Sequence, residues 1–175
     1  GSPAWARRVI RERAHVAPLT VVANIGAVHF ATSEQRAKRG AVIAAACRIL
    51  AASRPVNLYF VGITRDEKDN WRAMIAVRLD TAPIEIAHAA WLAGSHAAYR
   101  EVILPNMLAM QGQRMASSRA ECYGLPRDTA AAMVRERIAP DAVYIDRMPN
   151  NGMSIDCPIL ADPKDWLASF VAANQ

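Results

Sequence analysis

Residues 19–63 read LTVVANIGAVHFATSEQRAKRGAVIAAACRILAASRPVNLYFVGI. The stretch opens and closes on apolar runs rich in β-favouring residues, and the alanine-rich segment between them has helical spacing. Nearly continuous apolar character is typical of strands that are covered on both faces. A strand, a helix and a second strand in this order predict an α/β layer architecture with a largely parallel sheet.

The alanine-rich segment predicts one amphipathic helix. Thr32, with Gln35 three residues later, or Ser33 alone provides its N-cap, and the helix runs to about Ser53. We expect its buried stripe to consist of Ala37, Val42, Ala45, Ile49 and Ala52. Cys47 lies on the apolar side of the helix and is predicted to be a small buried thiol.

Three cations, Arg36, Lys38 and Arg39, occupy the first turns of this helix. Cations near a helix N-terminus oppose the macrodipole, at a cost of roughly 0.3–1 kcal/mol each. Two interpretations stay open. An anion is bound there, where helix amides can also receive phosphate, or the cluster is exposed and screened by salt.

Residues 64–70, TRDEKDN, predict a polar turn into a strand over 71–79, WRAMIAVRL. Apolar residues at the odd positions alternate with a second set, Arg72, Met74, Ala76 and Arg78. Strict alternation indicates one solvated face, and therefore an antiparallel strand at the edge of the sheet. The two arginines on that face either discourage unwanted strand pairing or contact nucleic acid, and the sequence leaves both interpretations open.

The rest of the chain continues the alternation of helices and strands. Helices are predicted over 3–16, over 83–111 with Ile84, Ala87 and Trp91 on a buried stripe, from Asp128 to Pro140, and from Asp162 to about 173. A parallel strand is predicted over 142–149, and a long, flexible, basic segment over 112–127. We therefore expect a single three-layer α/β domain over 3–175 with an antiparallel edge hairpin. Residues 1–2, Gly-Ser, are expected to be an expression remnant.

Composition limits the class of partner and compartment. Net charge is +5, and of the 21 basic residues only Lys38, Lys68 and Lys164 are lysines. Arginine binds phosphate through a planar fork and stacks on bases, so nucleic acid or another polyanion is the expected partner. Three widely spaced cysteines without a C-x-x-C pair predict a reducing compartment, the cytoplasm. No apolar run of about 18 residues exists, so no membrane span is expected.

Familiar chemical motifs are missing from the sequence. Neither glycine-rich phosphate loop follows the first strand, which offers a single glycine, Gly26, and no G-x-S-x-G elbow occurs. No set of His, Cys or Asp residues has recognisable metal-ligand spacing. We accordingly predict no catalytic residue, no cofactor and no metal site.

The order of the elements over 19–79 resembles the opening of a von Willebrand factor A-like domain. That family has a doubly wound sheet with an antiparallel edge, and its D-x-S-x-S metal motif follows the first strand. The matching positions here are Asn24, Gly26 and Val28, none of which keeps a family residue. The resemblance therefore implies this fold with a lost metal-site motif, and it implies no Mg²⁺ site.

The overall character of the chain, basic and α/β, also resembles the single-stranded-DNA-binding transcription cofactors of some podoviruses. This resemblance is carried by arginine-bearing segments at 7–13, 36–39 and 112–127. It implies a viral or mobile-element cofactor in the host cytoplasm, with RNA polymerase or another replication or transcription protein as a further partner.

Our leading hypothesis is a non-enzymatic protein that binds nucleic acid, with single-stranded DNA favoured. Arginines would neutralise phosphates and aromatic side chains would stack on bases. The candidate residues are Arg36, Lys38, Arg39, Arg72, Arg78, Arg114, Arg119, Tyr59, Trp71 and Tyr123. The alternatives are a protein-binding adaptor with a metal-free von Willebrand A-like fold, and an enzyme of unrecognised type that uses His29 near the strand end. Base preference and homo-oligomerisation stay open.

Overall fold

The structure is a computed structural model that describes residues 17–26, 31–66, 71–79, 84–95, 126–148, 150–151 and 154–175. The strands are β1 (Leu19–Asn24), β2 (Val56–Asp66), β3 (Trp71–Leu79), β4 (Val143–Ile145), β5 (Asn150–Asn151) and β6 (Ser154–Ile155). The helices are α1 (Ser33–Leu50), α2 (Ile86–Gly94), α3 (Arg127–Arg137), α4 (Pro158–Ala161) and α5 (Pro163–Asn174). The predicted helix over 3–16 lies outside the described residues, as do 96–125.

Four strands form the main sheet in the order β3-β2-β1-β4. β1 pairs in parallel with β2, from Leu19 opposite Val56 onward, and on its other edge with β4, where Val21 lies opposite Val143. β3 is antiparallel to β2 and forms the edge of the sheet. The predicted α/β class, the largely parallel sheet and the antiparallel edge hairpin are therefore confirmed.

Helices cover the sheet on both faces, which gives three layers. On one face, here called the α1 side, α1, α2 and α5 pack on residues that include Val21, Leu58 and Phe60. On the other face, the α3 side, α3 packs on Val22 and Val61. Strands β1 and β2 contribute buried side chains to both cores, which explains their nearly continuous apolar sequence.

Helices α1 and α2 approach each other closely through glycine. A Cβ built on Gly40 of α1 would lie 2.4 Å from Cβ of Ala93 and 2.9 Å from the carbonyl oxygen of Ala89. A Cβ on Gly94 of α2 would lie 2.5 Å from Cβ of Ala37. Because a side chain at either position would collide with the partner helix, these glycines fix the spacing of the two helices.

The predicted inner faces of α1 and α2 are wrong. In α1 the buried residues are Arg39, Gly40, Ile43, Ala44, Ala46, Cys47 and Leu50, whereas Ile49 is 46% exposed. In α2 Ala89 and Leu92 are buried, whereas Ala87 is exposed and Trp91 is 54% exposed. Ile84, which precedes α2, is buried as predicted. The burial of Cys47 is confirmed.

Helix starts agree better with the sequence. Thr32 and Gln35 form the predicted capping box, with Gln35 N donating to Thr32 Oγ1 at 3.1 Å and Thr32 N donating to Gln35 Oε1 at 2.9 Å. Asp162 Oδ1 accepts from the backbone of Lys164 and Asp165 at the start of α5. Side-chain oxygens at these positions satisfy amides that have no partner inside the helix, which is why such ends can be identified from sequence.

Candidate binding site at the carboxyl ends of the parallel strands

The chain reverses its direction of travel across the sheet at the carboxyl end of β1. From β1 it passes through α1, on one face, to β2 on one edge of β1, while α3, on the other face, leads to β4 on the opposite edge. In open α/β sheets, ligands bind in the crevice outside the carboxyl ends of the strands at such a switch point. The ends of β1 and β4 are therefore the first place to look for a site.

A buried arginine holds these two strand ends together. Arg39, on the inner face of α1, is 3% exposed. Its Nη1 donates to the carbonyl oxygen of Asn24 at 3.1 Å, and its Nη2 donates to the carbonyl oxygen of Asp146. Burial lowers the pKa of this guanidinium, and nearby Cys157 and Asp146 raise it in part. An arginine with a lowered pKa still keeps its charge at physiological pH.

A chain of side-chain hydrogen bonds runs from β1 to β4. Gly26 N donates to Asn24 Oδ1 at 2.9 Å, and Asn24 Nδ2 donates to the Tyr144 hydroxyl at 3.0 Å. The Tyr144 hydroxyl donates to Asp146 Oδ1 at 3.1 Å, and Arg147 N donates to the same oxygen at 2.8 Å. Burial raises the pKa of Tyr144 above its usual range. The network fixes both strand ends.

Asn24 stands where the resemblance to a von Willebrand factor A-like domain places the first residue of the D-x-S-x-S motif. Its side-chain amide is engaged on both sides, by Gly26 N and by Tyr144. Val28, the last aligned position, lies outside the described residues. Within the part of the chain that the structure describes, no group of three His, Cys, Asp or Glu residues could hold a metal ion.

A cleft of about 620 Å³ opens beside β4. It is lined by β4 and the residues after it, by Arg127 at the start of α3, by 156–159, and by one face of α5. Trp166 and Phe170 of α5 stack on each other here, with ring centroids 4.8 Å apart. The charged lining residues are Arg39, Arg127, Asp146, Arg147 and Asp156. The cleft thus combines an aromatic wall with cations and carboxylates.

Comparison with protein-family models, with curated proteins and with solved structures found no match to this chain. The two family resemblances noted from the sequence therefore stay predictions. No described helix combines the length and the apolar character needed to cross a membrane.

The three basic residues predicted at the start of α1 do not share a surface. Lys38 is exposed, Arg36 is half-buried with Nε directed at the carbonyl oxygen of Thr32 at 3.4 Å, and Arg39 is buried under the strand ends. For Arg39 the assignment to a phosphate-binding surface is corrected, because main-chain carbonyls occupy its guanidinium. These two carbonyl acceptors explain why a cation lies near the N-terminus of α1 at position 39, so no bound anion is required there.

The basic residues predicted on β3 do share a surface. Arg72 and Arg78 are exposed on the α3 side, and Arg78 Nη2 donates to Asn57 Oδ1 at 2.9 Å. Tyr59, half-buried, lies directly opposite Arg78 in the ladder, and Arg65 is the register partner of Arg72. Trp71 is placed by its backbone at the start of β3. Arg114, Arg119 and Tyr123 lie outside the described residues.

Two groups of residues in this part of the structure were not predicted from the sequence. Three exposed arginines of α3, Arg127, Arg135 and Arg137, lie on the same side of the sheet as Arg72 and Arg78. The cleft residues beside β4 were also missed. A sequence signal existed for both: arginines at each end of α3, and an aspartate directly after a strand, in VYID. Only the strand order shows that the α3 arginines and the cleft residues lie in neighbouring parts of the structure.

Proposed function

We propose that the protein binds single-stranded nucleic acid, with single-stranded DNA the favoured ligand, on the α3 side of its sheet, and that it is not an enzyme. One observation carries the proposal, namely the uneven distribution of charge between the two sides. The exposed charged residues of β3 and α3 are Arg72, Arg78, Arg127, Arg135 and Arg137 against Asp128 and Glu136. Those of α1, α2, α5 and their N-caps are Lys38, Arg48 and Lys164 against Glu34, Glu85, Asp162 and Asp165.

The arginines of the α3 side are available for an external anion. Among the described residues none of the five forms an ion pair with a carboxylate, and Arg78 donates to the neutral side-chain amide of Asn57. Bound phosphates would neutralise these arginines and produce a strong salt dependence.

Tyr59 provides the contact that distinguishes single strands from duplexes. It is half-buried on the α3 side, directly across from Arg78. A base that is free of its partner strand can stack on such a ring while the arginine contacts the neighbouring phosphate. Stacking of this kind tolerates any base sequence, so the proposal implies weak base preference at this position.

The cellular context belongs to the same proposal. We place the protein in the cytoplasm, where Cys47 and Cys157, both free and buried, would stay reduced. Its role would be that of a viral or mobile-element cofactor in transcription or replication, with a polymerase or another protein of that machinery as its partner. The support for this role is the arginine-rich composition and the basic α3 side.

The test is a fluorescence-polarisation titration of labelled single-stranded and duplex oligonucleotides of one sequence, at several salt concentrations. We expect tighter binding of the single strand. The variant R72A/R78A should bind more weakly, with a slope of log K against log salt that is shallower by about 1.4, since each phosphate contact on a single strand contributes about 0.7.

The matched control is R48A/K164A, which removes the same charge from exposed positions on the α1 side. It should change affinity and slope little. Circular dichroism confirms that both variants are folded. Equal effects of the two variants would show that net charge alone attracts the oligonucleotide, and undetectable binding by the wild type would end the proposal.

A further inference from the structure

The cleft beside β4 has the dimensions of a small-molecule site. Its volume of about 620 Å³ lies within the roughly 300–1,000 Å³ that is usual for such sites. It lies beside the carboxyl end of β4, and one of its lining residues, Arg39, donates to main-chain carbonyls at the ends of β1 and β4 and so holds this wall in place. A ligand there would meet a preformed surface.

One wall of the cleft suits a planar apolar group. Trp166 and Phe170 lie nearly parallel, with an interplanar angle of 18°, and both are half-buried. Asn174 Nδ2 donates to the carbonyl oxygen of Phe170 at 2.8 Å, which ties down the end of the same helix. Aromatic side chains offer a surface on which a base can stack.

The carboxylates of the cleft call for hydrogen-bond donors on the ligand. Asp146 Oδ1 already accepts from Tyr144 and Arg147, so its second oxygen is the one left for a ligand. Asp156 is exposed, and neither of its oxygens accepts a hydrogen bond from the described part of the chain. Amino groups of a base are donors of the kind that a carboxylate recognises.

The cations of the cleft suit an anionic group on the same ligand. Arg127 is exposed at the start of α3, and Arg147 follows β4. Arg127 also belongs to the basic α3 side, so a strand bound on that side reaches the cleft at this residue. Guanidinium groups bind phosphate through two parallel N–H bonds.

We propose that the cleft beside β4 binds one nucleotide, with the base against Trp166 and Phe170, its amino group on Asp156, and its phosphate on Arg127. The inference rests on the proposed function and deepens it, because it adds a base-reading position to a surface that otherwise contacts phosphates and stacks on bases without reading them. Guanine presents two adjacent donors to a carboxylate, whereas thymine presents one. We expect dGMP to bind roughly tenfold more tightly than dTMP.

The experiment follows the backbone amides and the indole N–H groups of the labelled full chain by NMR. The probes are dGMP, dTMP, deoxyribose 5-phosphate and L-tryptophan. We expect dGMP to shift the Trp166 indole and the amides of 144–147, and deoxyribose 5-phosphate to leave them in place. Equal shifts from deoxyribose 5-phosphate, tighter binding of L-tryptophan, or dGMP shifts confined to other regions would each overturn the proposal.

Two exposed lining residues allow substitution with little effect on folding, and each has a matched control. D156N should weaken dGMP binding roughly tenfold, whereas D165N, on the outer surface of α5, should not. R127A should weaken dGMP binding, whereas R137A, at the other end of α3, should not. Indistinguishable effects within either pair would show that dGMP binds elsewhere.

Failure of this inference and failure of the proposed function give different results. If the oligonucleotide binds in the salt-dependent way described and dGMP leaves the cleft unshifted, only the inference fails. If dGMP shifts the cleft and the oligonucleotide does not bind, the single-strand proposal fails, and with it the inference that the cleft reads a nucleotide of a bound strand.

Discussion

Arg39 shows how a single side chain can take the place that a ligand often has in this kind of fold. It lies on the buried face of α1 and donates to main-chain carbonyls at the ends of both β1 and β4. The guanidinium thus provides a donor to a carbonyl at each of the two strand ends. A buried charge is tolerated when its hydrogen-bonding groups are satisfied, and here the acceptors are backbone oxygens that cannot move away.

Arg39→Met should destabilise the protein by about 3 kcal/mol, because it removes a charged donor and leaves two carbonyl groups without their partner. Lys38→Met, on the exposed neighbour, should change the free energy of unfolding by less than about 0.5 kcal/mol. Urea denaturation of the two variants beside the wild type measures both values. A cost for Arg39→Met as small as that for Lys38→Met would show that the strand ends do not depend on the guanidinium.

Ionisation of the Cys47 thiol makes the free energy of unfolding depend on pH. Burial raises the pKa of its thiol from 9.0 to about 12. The unfolded chain therefore loses this proton at a lower pH than the folded protein. The stability due to the protonated thiol is complete below about pH 9 and falls as the pH rises toward about 12, by about 1.4 kcal/mol per pH unit.

Cys47→Ala should accordingly be less stable than the wild type near pH 8, because it leaves a small cavity, and the difference should narrow as the pH rises. Denaturation of both proteins at about pH 8 and about pH 11 measures the change, which should be on the order of 2 kcal/mol. A constant difference between the two proteins across this range would contradict the raised pKa.

At the scale of elements, the strands of this protein could be predicted better than the faces of its helices. Alternation over 71–79 identified both the strand and its two faces, because a period of two leaves little ambiguity. In α1 alanines lie on every side, so spacing alone did not indicate the core, and the residues that decide it, Arg39 and Gly40, do not look like core residues. Their burial depends on partners elsewhere in the chain.

Gly40→Ala tests the close contact of α1 and α2. Alanine favours a helix over glycine by about 1 kcal/mol, yet its Cβ would meet Ala93 and the backbone of Ala89. We expect the collision to dominate, with a net loss of about 2 kcal/mol.

Ala93→Gly supplies the second half of that test, since it removes one of the two colliding groups. Combined with Gly40→Ala it should recover part of the loss, so that the double variant is more stable than the sum of the single changes implies. Thermal denaturation of the four proteins gives the coupling. Strictly additive effects would mean that the two helices do not touch at these positions.

At the scale of the whole molecule, the proposed surface joins an edge strand and a helix that lie far apart in the sequence. If β3 and α3 contact the same bound strand, R72A/R78A and R135A/R137A should each make the salt slope shallower, and the combined variant should show the sum, about 2.8. If the combined variant has a salt slope no shallower than that of one double variant, nucleic acid contacts only one of the two elements. The measurement is the same polarisation titration.

The candidate site could not be derived from the sequence as a site. The residues that line the cleft are Arg39, Arg127, 143–147, 156–159 and four residues of α5, and only the folded chain brings them together. The sequence did identify the end of β1 as a ligand position that lacked the expected groups. What it could not show is that the side chains at that place come from α1 and from β4.

The bond from Arg39 to the carbonyl of Asp146 joins residues 107 positions apart. Contacts between such distant parts of a chain close a long loop and tend to form late in folding. The unit of β1, α1, β2 and β3 is local by comparison, so β4 should dock onto a sheet that already exists. An interaction absent from the transition state governs how fast the native state is lost rather than how fast it forms. The buried guanidinium would then slow the unfolding of the protein and so lengthen the lifetime of the folded state.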